Sequence, residues 1–299
     1  MRLSRITRIA AVAAAVVVAA TACGGGGSSN LGSSGTSPSV AESPTFPAGT
    51  TMERLASAGT LRLGTKFDQP LFGLKGLDGN PQGFDVEIAK IIAAKLGIPA
   101  DKITYTETPS AIREEVIEQD RVDMVVATYT INDKRKERIS FAGPYYIAGQ
   151  DLMVAADNNE ITGPDSLRAA NAKVCSVAGS TPSENIKQYI DASNLVLFDV
   201  YSKCADALRT GQVQAVTTDN VILLGLVDQS NGAFKLVGQQ FTEEPYGIGI
   251  QKGDVEFCQF IDQTLQEAAA NGSYQAAWES TAGKVSPTTP TLPEPDPCV

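Results

Sequence analysis

The apolar positions of this chain follow two alternating spacings. Short, wholly apolar runs such as residues 122–127 are typical of strands buried on both faces of a sheet. Between these runs, apolar residues recur every three or four positions, as they do from Phe84 to Leu96 before Gly97, which is typical of helices. The alternation predicts an α/β fold with parallel sheets covered by helices on both faces. The predicted strands are residues 60–65, 122–127, 174–177, 196–200, 215–217 and 235–237.

Two helices have clear sequence signals. Thr181, Pro182 and Glu184 form a predicted capping box with proline at the first helical position. Apolar residues from Phe257 to Ala268 fall on one face of a long final helix. In sheets of this class, ligands bind beyond the carboxyl ends of the strands. We therefore expect the functional site in the loops that follow the strands and open the next helices.

The first residues have the pattern of a secretory signal. Three arginines precede an apolar run at residues 9–20, which is too short to span a bilayer and has the length of a signal-peptide core. Small residues then lead to Cys23, in a pattern that resembles a bacterial lipoprotein processing site. We expect a signal peptide at residues 1–22 and lipidation of Cys23, where two acyl chains would give stable anchoring. An ordinary signal peptide with an incidental cysteine is the alternative.

Two segments lack the large apolar residues that a folded core needs. Residues 23–51 are rich in Gly, Ser, Thr and Pro, which predicts a flexible linker between the lipid anchor and the folded part. Residues 286–299 contain five prolines and predict a C-terminal tail that is equally unstructured. The folded part is therefore expected between these two segments.

The charge of the chain excludes several classes of function. The formal net charge is −10, and loss of the three arginines of the signal segment would make it −13. Because no Lys- or Arg-rich run is present, we expect no nucleic-acid binding. An anionic ligand would need a few specifically placed cations, since the overall field repels it. The chain has no histidine, no Gly-rich phosphate loop and no metal-ligand spacing, so we expect neither a metal nor a cofactor.

Four cysteines remain besides the one at the predicted processing site, and an even number outside the cytoplasm indicates two disulfides. Three pairings are possible. We favour Cys175 with Cys204, which would join a strand to the next helix, and Cys258 with Cys298, which would attach the tail to a helix. Four free thiols or a metal site are the alternatives, but neither a Cys-x-x-Cys spacing nor a histidine supports a metal.

Several motifs occur in a consistent order along the folded part. They are Gly83-Phe84-Asp85-Val86-Glu87-Ile88, residues 121–128 with their continuation to Tyr146, Gly179-Ser180-Thr181, and residues 215–219 and 246–249. Together they resemble the polar-amino-acid-binding family of solute-binding proteins of ABC importers, known as family 3, over about residues 52–285. Residues 64–70, 127–132 and 175–182 are more narrowly similar to the glutamate-binding lipoproteins of actinobacterial importers. The pair of Cys258 and Cys298 departs from that narrower pattern.

The resemblance implies a two-lobed α/β fold of the periplasmic-binding-protein type II. Two crossing strands would act as hinges at residues 144–149 and 243–246, with the ligand in the cleft between the lobes. Lobe 1 would contain residues 52–146 and 246–285, and lobe 2 would contain residues 147–245. Closure of the lobes around the ligand is the expected motion.

The resemblance also implies how the carboxylate of an amino acid would be held. In a closed cleft this group loses its water and needs charged, hydrogen-bonded partners. Arg135 would bind the α-carboxylate with two hydrogen bonds, which lysine cannot do, and Thr130 would add a hydroxyl. From the other lobe, Ser180 and Thr181 would present the N-terminus of a helix to the same anion.

The ammonium group would be held by two oxygen acceptors. Asp219 would be its counter-ion, and Thr128 would offer a backbone carbonyl. The residues alone allow plainer roles, which the resemblance overrides. Asp219 and Thr181 would then only cap helices, and Arg135 would be a solvated surface charge.

A γ-carboxylate on the ligand would need a second cationic group. Lys66 follows the first strand, and Arg113 aligns with a side-chain-binding arginine of acidic-amino-acid binders. The alternatives are an ion pair between Lys66 and Asp68, and an exposed position for Arg113 on its helix. Tyr129 would wall the pocket or pack in the core near the hinge. We expect glutamate as ligand; aspartate, glutamine and asparagine stay open, since a neutral amide needs no second cation.

The predicted function is that of a lipid-anchored binding protein on the outer face of the cytoplasmic membrane. It would be a monomer that captures glutamate and delivers it to the permease subunits of an ABC-type importer. A lipoprotein that reports the ligand to a membrane receptor would have the same pocket and would differ in its neighbouring genes. A dehydratase-like enzyme is a further alternative on this fold. We expect no enzyme, because the chain has no histidine, and no free thiol once the disulfides form.

Overall fold

The computed structural model of this protein describes residues 38–299. The predicted signal peptide, Cys23 and the first part of the predicted linker lie outside the described residues. Among the residues described, no helix combines the length and the apolar character needed to cross a membrane.

Strands and helices alternate along the described chain and are numbered in chain order. The helices are α1 (Thr51–Ala58), α2 (Phe84–Lys95), α3 (Arg113–Glu118), α4 (Asp133–Lys136), α5 (Ser166–Ala169), α6 (Thr181–Asn185), α7 (Tyr201–Arg209), α8 (Asn220–Asp228), α9 (Val255–Asn271) and α10 (Ser273–Ser280). The strands are β1 (Leu61–Thr65), β2 (Asp68–Gln69), β3 (Gly73–Lys75), β4 (Pro81–Gln82), β5 (Ile103–Glu107), β6 (Met124–Val125), β7 (Ser140–Ala148), β8 (Gln150–Ala155), β9 (Val174–Val177), β10 (Leu195–Phe198), β11 (Ala215–Asp219), β12 (Phe234–Leu236) and β13 (Glu244–Ile250).

Two five-stranded sheets form the centres of two lobes. The strand order is β5-β1-β6-β13-β7 in lobe 1 and β10-β9-β11-β8-β12 in lobe 2. A small three-stranded sheet, β2-β3-β4, accompanies them. The strands β5, β1 and β6 are parallel, as are β10, β9 and β11, with helices in the connections between them. The residue numbers at which one lobe becomes the other stay a prediction.

The predicted parallel sheets are mixed, because the strands through which the chain crosses between the lobes are antiparallel to their neighbours. In lobe 1, β13 runs antiparallel to β6 and β7. In lobe 2, β8 runs antiparallel to β11 and β12. Parallel neighbours need a long crossover connection, whereas a strand that enters or leaves a lobe directly can pair in the opposite direction. The crossing strands do this, because only Gly149 separates β7 from β8.

The predicted hinge segments lie within paired strands. Tyr246 in β13 is opposite Tyr146 in β7, and the pairing continues from Glu244 to Ile250. The buried rings around this ladder form a cluster that also contains Trp278, which stacks on Tyr146 with ring centroids 5.4 Å apart. The predicted hinge segments therefore pack against an aromatic core and do not form an open loop.

The helix α6 begins one residue earlier than the predicted capping box. Ser180 is the N-cap, and its Oγ accepts a hydrogen bond from the Ser183 N–H at 3.1 Å. Thr181 is the first helical residue, and its hydroxyl donates instead to Glu244 Oε2 at 2.6 Å. The sequence could not show this competing acceptor, which lies 63 positions along the chain.

The structure contains the two disulfides that we favour from the sequence. Cys175 in β9 is bonded to Cys204 in α7, so the bridge passes over α6 and does not join β9 to the next helix. Cys258 in α9 is bonded to Cys298 in the tail. Both bridges therefore tie segments to the sheet or helix framework of one lobe.

The proline-rich tail is ordered, contrary to the sequence-based expectation. The Asp296 N–H donates to the Gly143 carbonyl at 2.7 Å, and Ser140 Oγ donates to the Val299 carbonyl at the same distance. Leu292 packs against the core of lobe 1. A proline-rich segment has few conformations to lose, so these few contacts and the disulfide are sufficient to hold it.

The predicted linker also ends earlier than residue 51. The Ala41 N–H donates to the Ala94 carbonyl at 2.9 Å, and the ring of Phe46 packs edge-on against Phe260 with centroids 5.5 Å apart. Thr50 then caps α1 through its side chain. A backbone hydrogen bond and one packed ring thus attach a stretch whose composition is typical of a linker.

Loss of the tail disulfide is expected to destabilise lobe 1. The bridge closes a loop with a sequence separation of 40, and a loop of that size stabilises the folded chain by about 2–4 kcal/mol. The double variant Cys258→Ser/Cys298→Ser should therefore melt at a lower temperature than the parent in a calorimetric scan, while the bridge between Cys175 and Cys204 stays intact. An unchanged melting temperature would contradict a stabilising role of the tail.

Candidate functional site

A chamber lies between the lobes, at loops that follow the strands of both sheets. The empty space between its walls is about 210 Å³ when the part open to solvent is included, and its cavity volume is about 10 Å³. Its walls come from segments that follow β5 and β6 in lobe 1, and β9, β10 and β11 in lobe 2. The lining residues are Ser110, Arg113, Thr128, Thr130, Ser180, Thr181, Pro182, Tyr201, Thr218, Asp219 and Ile222.

Arg113 is the cation of lobe 1 that lines this chamber. It begins α3 and is only 2% exposed, so the alternative of an exposed helix residue does not hold. Its Nη1 donates to the carbonyls of Ala127 at 2.9 Å and Thr128 at 3.2 Å. Its guanidinium lies 4.1 Å from the centre of the Tyr129 ring. Its Nε is buried and has no hydrogen-bond partner among the described residues.

A bend at Thr128 aims backbone carbonyls at Arg113. Thr128 has a φ of 45°, which residues with a side chain rarely adopt. The bend is held by Asp85, whose Oδ2 accepts from the Thr128 N–H at 2.8 Å and whose Oδ1 accepts from the Tyr145 hydroxyl at 2.6 Å. Burial raises the pKa of Asp85 to about 7. The Thr128 carbonyl, which the sequence assigned to a ligand ammonium, thus already accepts from Arg113.

Asp219 is the carboxylate of lobe 2 that lines the same chamber. It stands at the N-cap position of α8 but makes no capping hydrogen bond, so the plain capping role does not hold. Its Oδ2 accepts from the Tyr246 hydroxyl at 2.6 Å, and its buried Oδ1 has no partner in the described part of the chain. Burial raises the pKa of Asp219 to about 7, with a further contribution from Glu244.

Arg135 lies beside the chamber and lines a larger adjoining cavity. It is 6% exposed, so it is not a solvated surface charge. Nη1 donates to the Thr130 carbonyl at 2.5 Å, Nη2 donates to the Gly179 carbonyl of the other lobe at 3.2 Å, and Nε lies 3.3 Å from Glu114 Oε1. A guanidinium has five N–H donors, so two remain for a ligand. Burial lowers the pKa of Arg135 to about 10, with a further contribution from Arg113.

Lys66 is buried and does not line the chamber, but it contacts a residue that does. Its Nζ donates to Ser110 Oγ at 2.9 Å. Burial, followed by the charge of Arg113, lowers the pKa of Lys66 to about 7. Within the described range, Lys66 forms no ion pair with Asp68, whose Oδ2 accepts instead from the Tyr201 N–H at 2.7 Å.

Tyr129 packs in the core and does not line the chamber. It is fully buried, and its ring lies 4.9 Å from that of Phe141. The guanidinium groups of Arg113 and Arg135 lie over the ring at 4.1 and 5.0 Å. Such contacts are attractive for desolvated cations. The ring face of Tyr129 therefore stabilises both guanidinium groups.

The helix start at Ser180 and Thr181 meets lobe 1 directly. Thr181 Oγ1 lies 3.3 Å from Thr130 Oγ1 across the cleft, within hydrogen-bond distance. Ser180 Oγ is used as the cap of α6. Together with the contact between Arg135 and Gly179, these hydroxyls bring the two lobes into contact around the chamber.

Several residues around the chamber were not singled out from the sequence. Tyr246 and Thr218 stand in motifs that carry the family resemblance, so a signal for them existed. Tyr201 opens a helix directly after a predicted strand, which is where a site residue is expected. Glu244, which accepts hydrogen bonds from Thr181 and from Thr242 at 2.9 Å, lies in a predicted hinge segment but was not predicted as a site residue.

Comparison with known proteins agrees with this geometry. Residues 61–281 match the family described as bacterial extracellular solute-binding proteins, family 3. The glutamate-binding protein GluB of Corynebacterium efficiens is 39% identical over 226 residues, which are 73% of this chain and 76% of that protein. The glutamine-binding protein GlnH of an ABC transporter of Bacillus subtilis is 36% identical over 217 residues, covering 72% and 78%.

A solved structure has the same arrangement of lobes. An ancestral arginine-binding protein bound to glutamine superposes with a TM-score of 0.69 at 34% identity, covering 75% of this chain and 97% of that one. These findings confirm the two-lobed type II fold predicted from the sequence, and these relatives are named as binding proteins rather than enzymes. The chain belongs to family 3 of the bacterial extracellular solute-binding proteins, which bind amino acids for ABC importers.

Proposed function

We propose that this protein binds L-glutamate between its lobes and delivers it to the permease of an ABC importer. One observation carries the proposal: Arg113 and Asp219 line the same chamber, and each has a buried polar atom, Nε and Oδ1 respectively, without a hydrogen-bond partner in the described residues. Opposite charges that are close, buried and still not paired with each other are costly unless a ligand pairs with both.

A zwitterion satisfies both groups at once. Its ammonium would be held by Asp219, and its α-carboxylate by the two remaining N–H donors of Arg135 with the hydroxyl of Thr130. Thr181, whose hydroxyl already donates to Glu244, would offer its backbone N–H. Ser180 would contribute through the N-terminal end of α6. Each charged group of the ligand would then meet a charged protein partner, which an anhydrous site requires.

Two buried cations, Arg113 and Lys66, remain for an acidic side chain once Arg135 is assigned to the α-carboxylate. Arg113 lines the chamber and Lys66 contacts its lining residue Ser110, whereas the buried carboxylates of Asp85 and Glu244 already accept hydrogen bonds from protein donors. Arg113 and Lys66 would together hold the γ-carboxylate. The similarity to a protein named as glutamate-binding agrees with this assignment. Glutamine is the competing ligand, because other relatives are named for it.

The cellular setting completes the proposal. Lipidation at Cys23 would anchor a monomeric protein to the outer face of the cytoplasmic membrane, with residues 52–146 and 246–285 as lobe 1 and residues 147–245 as lobe 2. The tether would keep the ligand-loaded protein near its permease.

The proposal is tested by a thermal-shift screen of the purified mature protein against the twenty amino acids. A ligand that binds only the folded state adds about 2.7 kcal/mol of stability at one hundred times its Kd. We expect the largest rise in melting temperature with glutamate. A larger rise with glutamine would reassign the ligand, and no rise with any amino acid would contradict an amino-acid binding function.

Replacing Arg113 by glutamine is expected to weaken glutamate binding more than glutamine binding. The hydrogen bonds lost with the γ-carboxylate involve two charged groups, and such bonds contribute about 1.5–3 kcal/mol each. Titration calorimetry with both ligands measures the difference, and Arg113→Lys is the control that keeps the charge. Equal losses of affinity for glutamate and glutamine would show that Arg113 does not distinguish the ligand side chains.

A further inference from the structure

One helix of lobe 2 begins without a cap of its own. The N-cap position of α7 is Val200, whose side chain has no hydrogen-bond acceptor, and no side-chain cap is present there. The first N–H of the helix, that of Tyr201, donates instead to Asp68 Oδ2 at 2.7 Å. Asp68 belongs to β2, on the other side of the cleft.

We propose that Asp68 caps helix α7 across the cleft and thereby holds the closed, ligand-loaded state together. The first N–H groups of a helix have no partner within the helix, and a carboxylate there also meets the positive end of the helix dipole. The contact joins two lobes, so it exists only while they are together. When the lobes separate, both groups return to water and the stabilisation is lost.

The cap is coupled to the ligand chamber from both sides. On the side of lobe 2, the capped residue Tyr201 also lines the chamber with its side chain, and α7 is bonded to β9 through Cys204. On the side of lobe 1, Gln69 follows Asp68 directly and its Oε1 accepts from the Thr128 hydroxyl at 2.9 Å. Thr128 lines the chamber as well. A ligand that contacts Tyr201 and Thr128 therefore also constrains the distance between Asp68 and the start of α7.

A glycine lets the same segment of lobe 1 approach lobe 2 closely. Pro70 follows Asp68 and Gln69, and its carbonyl oxygen would lie 2.6 Å from a Cβ placed on Gly225 in α8. Real Cβ atoms do not approach backbone oxygens so closely, so a side chain at this position would push the segment away. Residues 68–70 thus meet lobe 2 at two points, the start of α7 and the middle of α8.

The inference rests on the proposed function for the identity of the ligand. The cap itself rests only on the hydrogen bond between the Tyr201 N–H and Asp68. Loss of an N-cap corresponds to about a 2- to 30-fold change in an equilibrium. We expect Asp68→Ala to speed the release of L-glutamate by that factor in stopped-flow measurements and to leave the association rate nearly unchanged. Asp68→Asn should restore most of the slow release, because asparagine caps helices as well as aspartate does.

Asp199 offers a matched control near the same helix end. Its exposed carboxylate lies two residues before Tyr201 and accepts from Lys203 within lobe 2, without contact to lobe 1. Asp199→Ala should release glutamate at the parental rate. Gly225→Ala is a second variant from the opposite lobe, and we expect it also to speed release, since the added methyl group displaces Pro70.

Parental release rates for both Asp68→Ala and Gly225→Ala would overturn the inference. Equally fast release by Asp68→Ala and Asp68→Asn would also overturn it, because the carboxylate would then act by its charge and not as a cap. If the parent protein fails to bind glutamate, the proposed function fails while the cap is still tested by hydrogen exchange of the Tyr201 amide. Faster exchange in Asp68→Ala than in Asp199→Ala would support the cap, and equal exchange would refute it.

Discussion

Asp219→Asn is expected to weaken the binding of glutamate by about 2–5 kcal/mol, or about 30- to 5,000-fold in Kd. The substitution keeps the shape of the side chain and its contact with the Tyr246 hydroxyl, but it removes the charge that faces the chamber. The ligand ammonium would then be buried against a neutral amide. Titration calorimetry at neutral pH measures the loss directly.

The pH dependence of glutamate binding provides a second test of the role of Asp219. Burial raises the pKa of Asp219 to about 7, so below this pH the ligand-free protein carries a proton that must leave before the carboxylate can hold an ammonium. The Kd should therefore rise as the pH falls below about 7, by up to about tenfold per pH unit. Glu244 raises the same pKa, whereas Tyr246 and Arg113 lower it. This rise of the Kd at low pH should be absent from Asp219→Asn.

A buried carboxylate of lobe 2 that does not line the chamber provides the control. Asp151 is 2% exposed, and its Oδ1 accepts from the N–H groups of Leu152 and Gln239. Asp151→Asn should alter stability but not the affinity for glutamate. If Asp219→Asn bound glutamate as tightly as the parent, the assignment of the ammonium partner would be wrong.

Arg135→Ala is expected to cost a similar amount, about 2–5 kcal/mol of glutamate binding. The guanidinium reaches the carbonyls of Thr130 in lobe 1 and Gly179 in lobe 2, so its removal takes away a bridge between the lobes as well as donors for the ligand carboxylate. It also leaves the partly exposed Glu114 without its cation. Calorimetry should show weaker binding, and stopped-flow measurements should show faster release.

Arg138 is a suitable control for Arg135. It lines the same outer cavity, but its side chain is largely exposed and pairs with Glu118. An exposed pair of this kind contributes little, so Arg138→Ala should bind glutamate like the parent. Equal losses for the two variants would indicate a general effect of positive charge at the cleft mouth and would refute a specific clamp at Arg135.

Local features of the fold were predictable because they depend on neighbouring residues. The strand at Val174–Val177 and the helix that starts at Phe84 follow from apolar spacing alone. The loops after these strands were the expected place for a site, and the chamber is lined by such loops. The antiparallel crossing strands were not predictable, since β7 and β13 are paired across about one hundred positions of sequence and carry no local signal of their partner.

Tertiary contacts also determine which of the two arginines, Arg113 or Arg135, lines the inner chamber. The predicted strand at residues 122–127 is cut to Met124–Val125 because the chain bends at Thr128. The bend turns two carbonyls towards Arg113, which lines the chamber, whereas Arg135 donates to the Gly179 carbonyl of the other lobe. Sequence alone placed both residues in the site but could not show which of them lines the inner chamber.

The aromatic packing at the hinge has a practical consequence. The chain contains a single tryptophan, Trp278, and its indole stacks on Tyr146 in a crossing strand. Its Nε1–H also donates to the Ser286 carbonyl, at the beginning of the tail. The indole of Trp278 thus lies against the strand about which the lobes would rotate. Its fluorescence can therefore report opening and closing of the unlabelled protein.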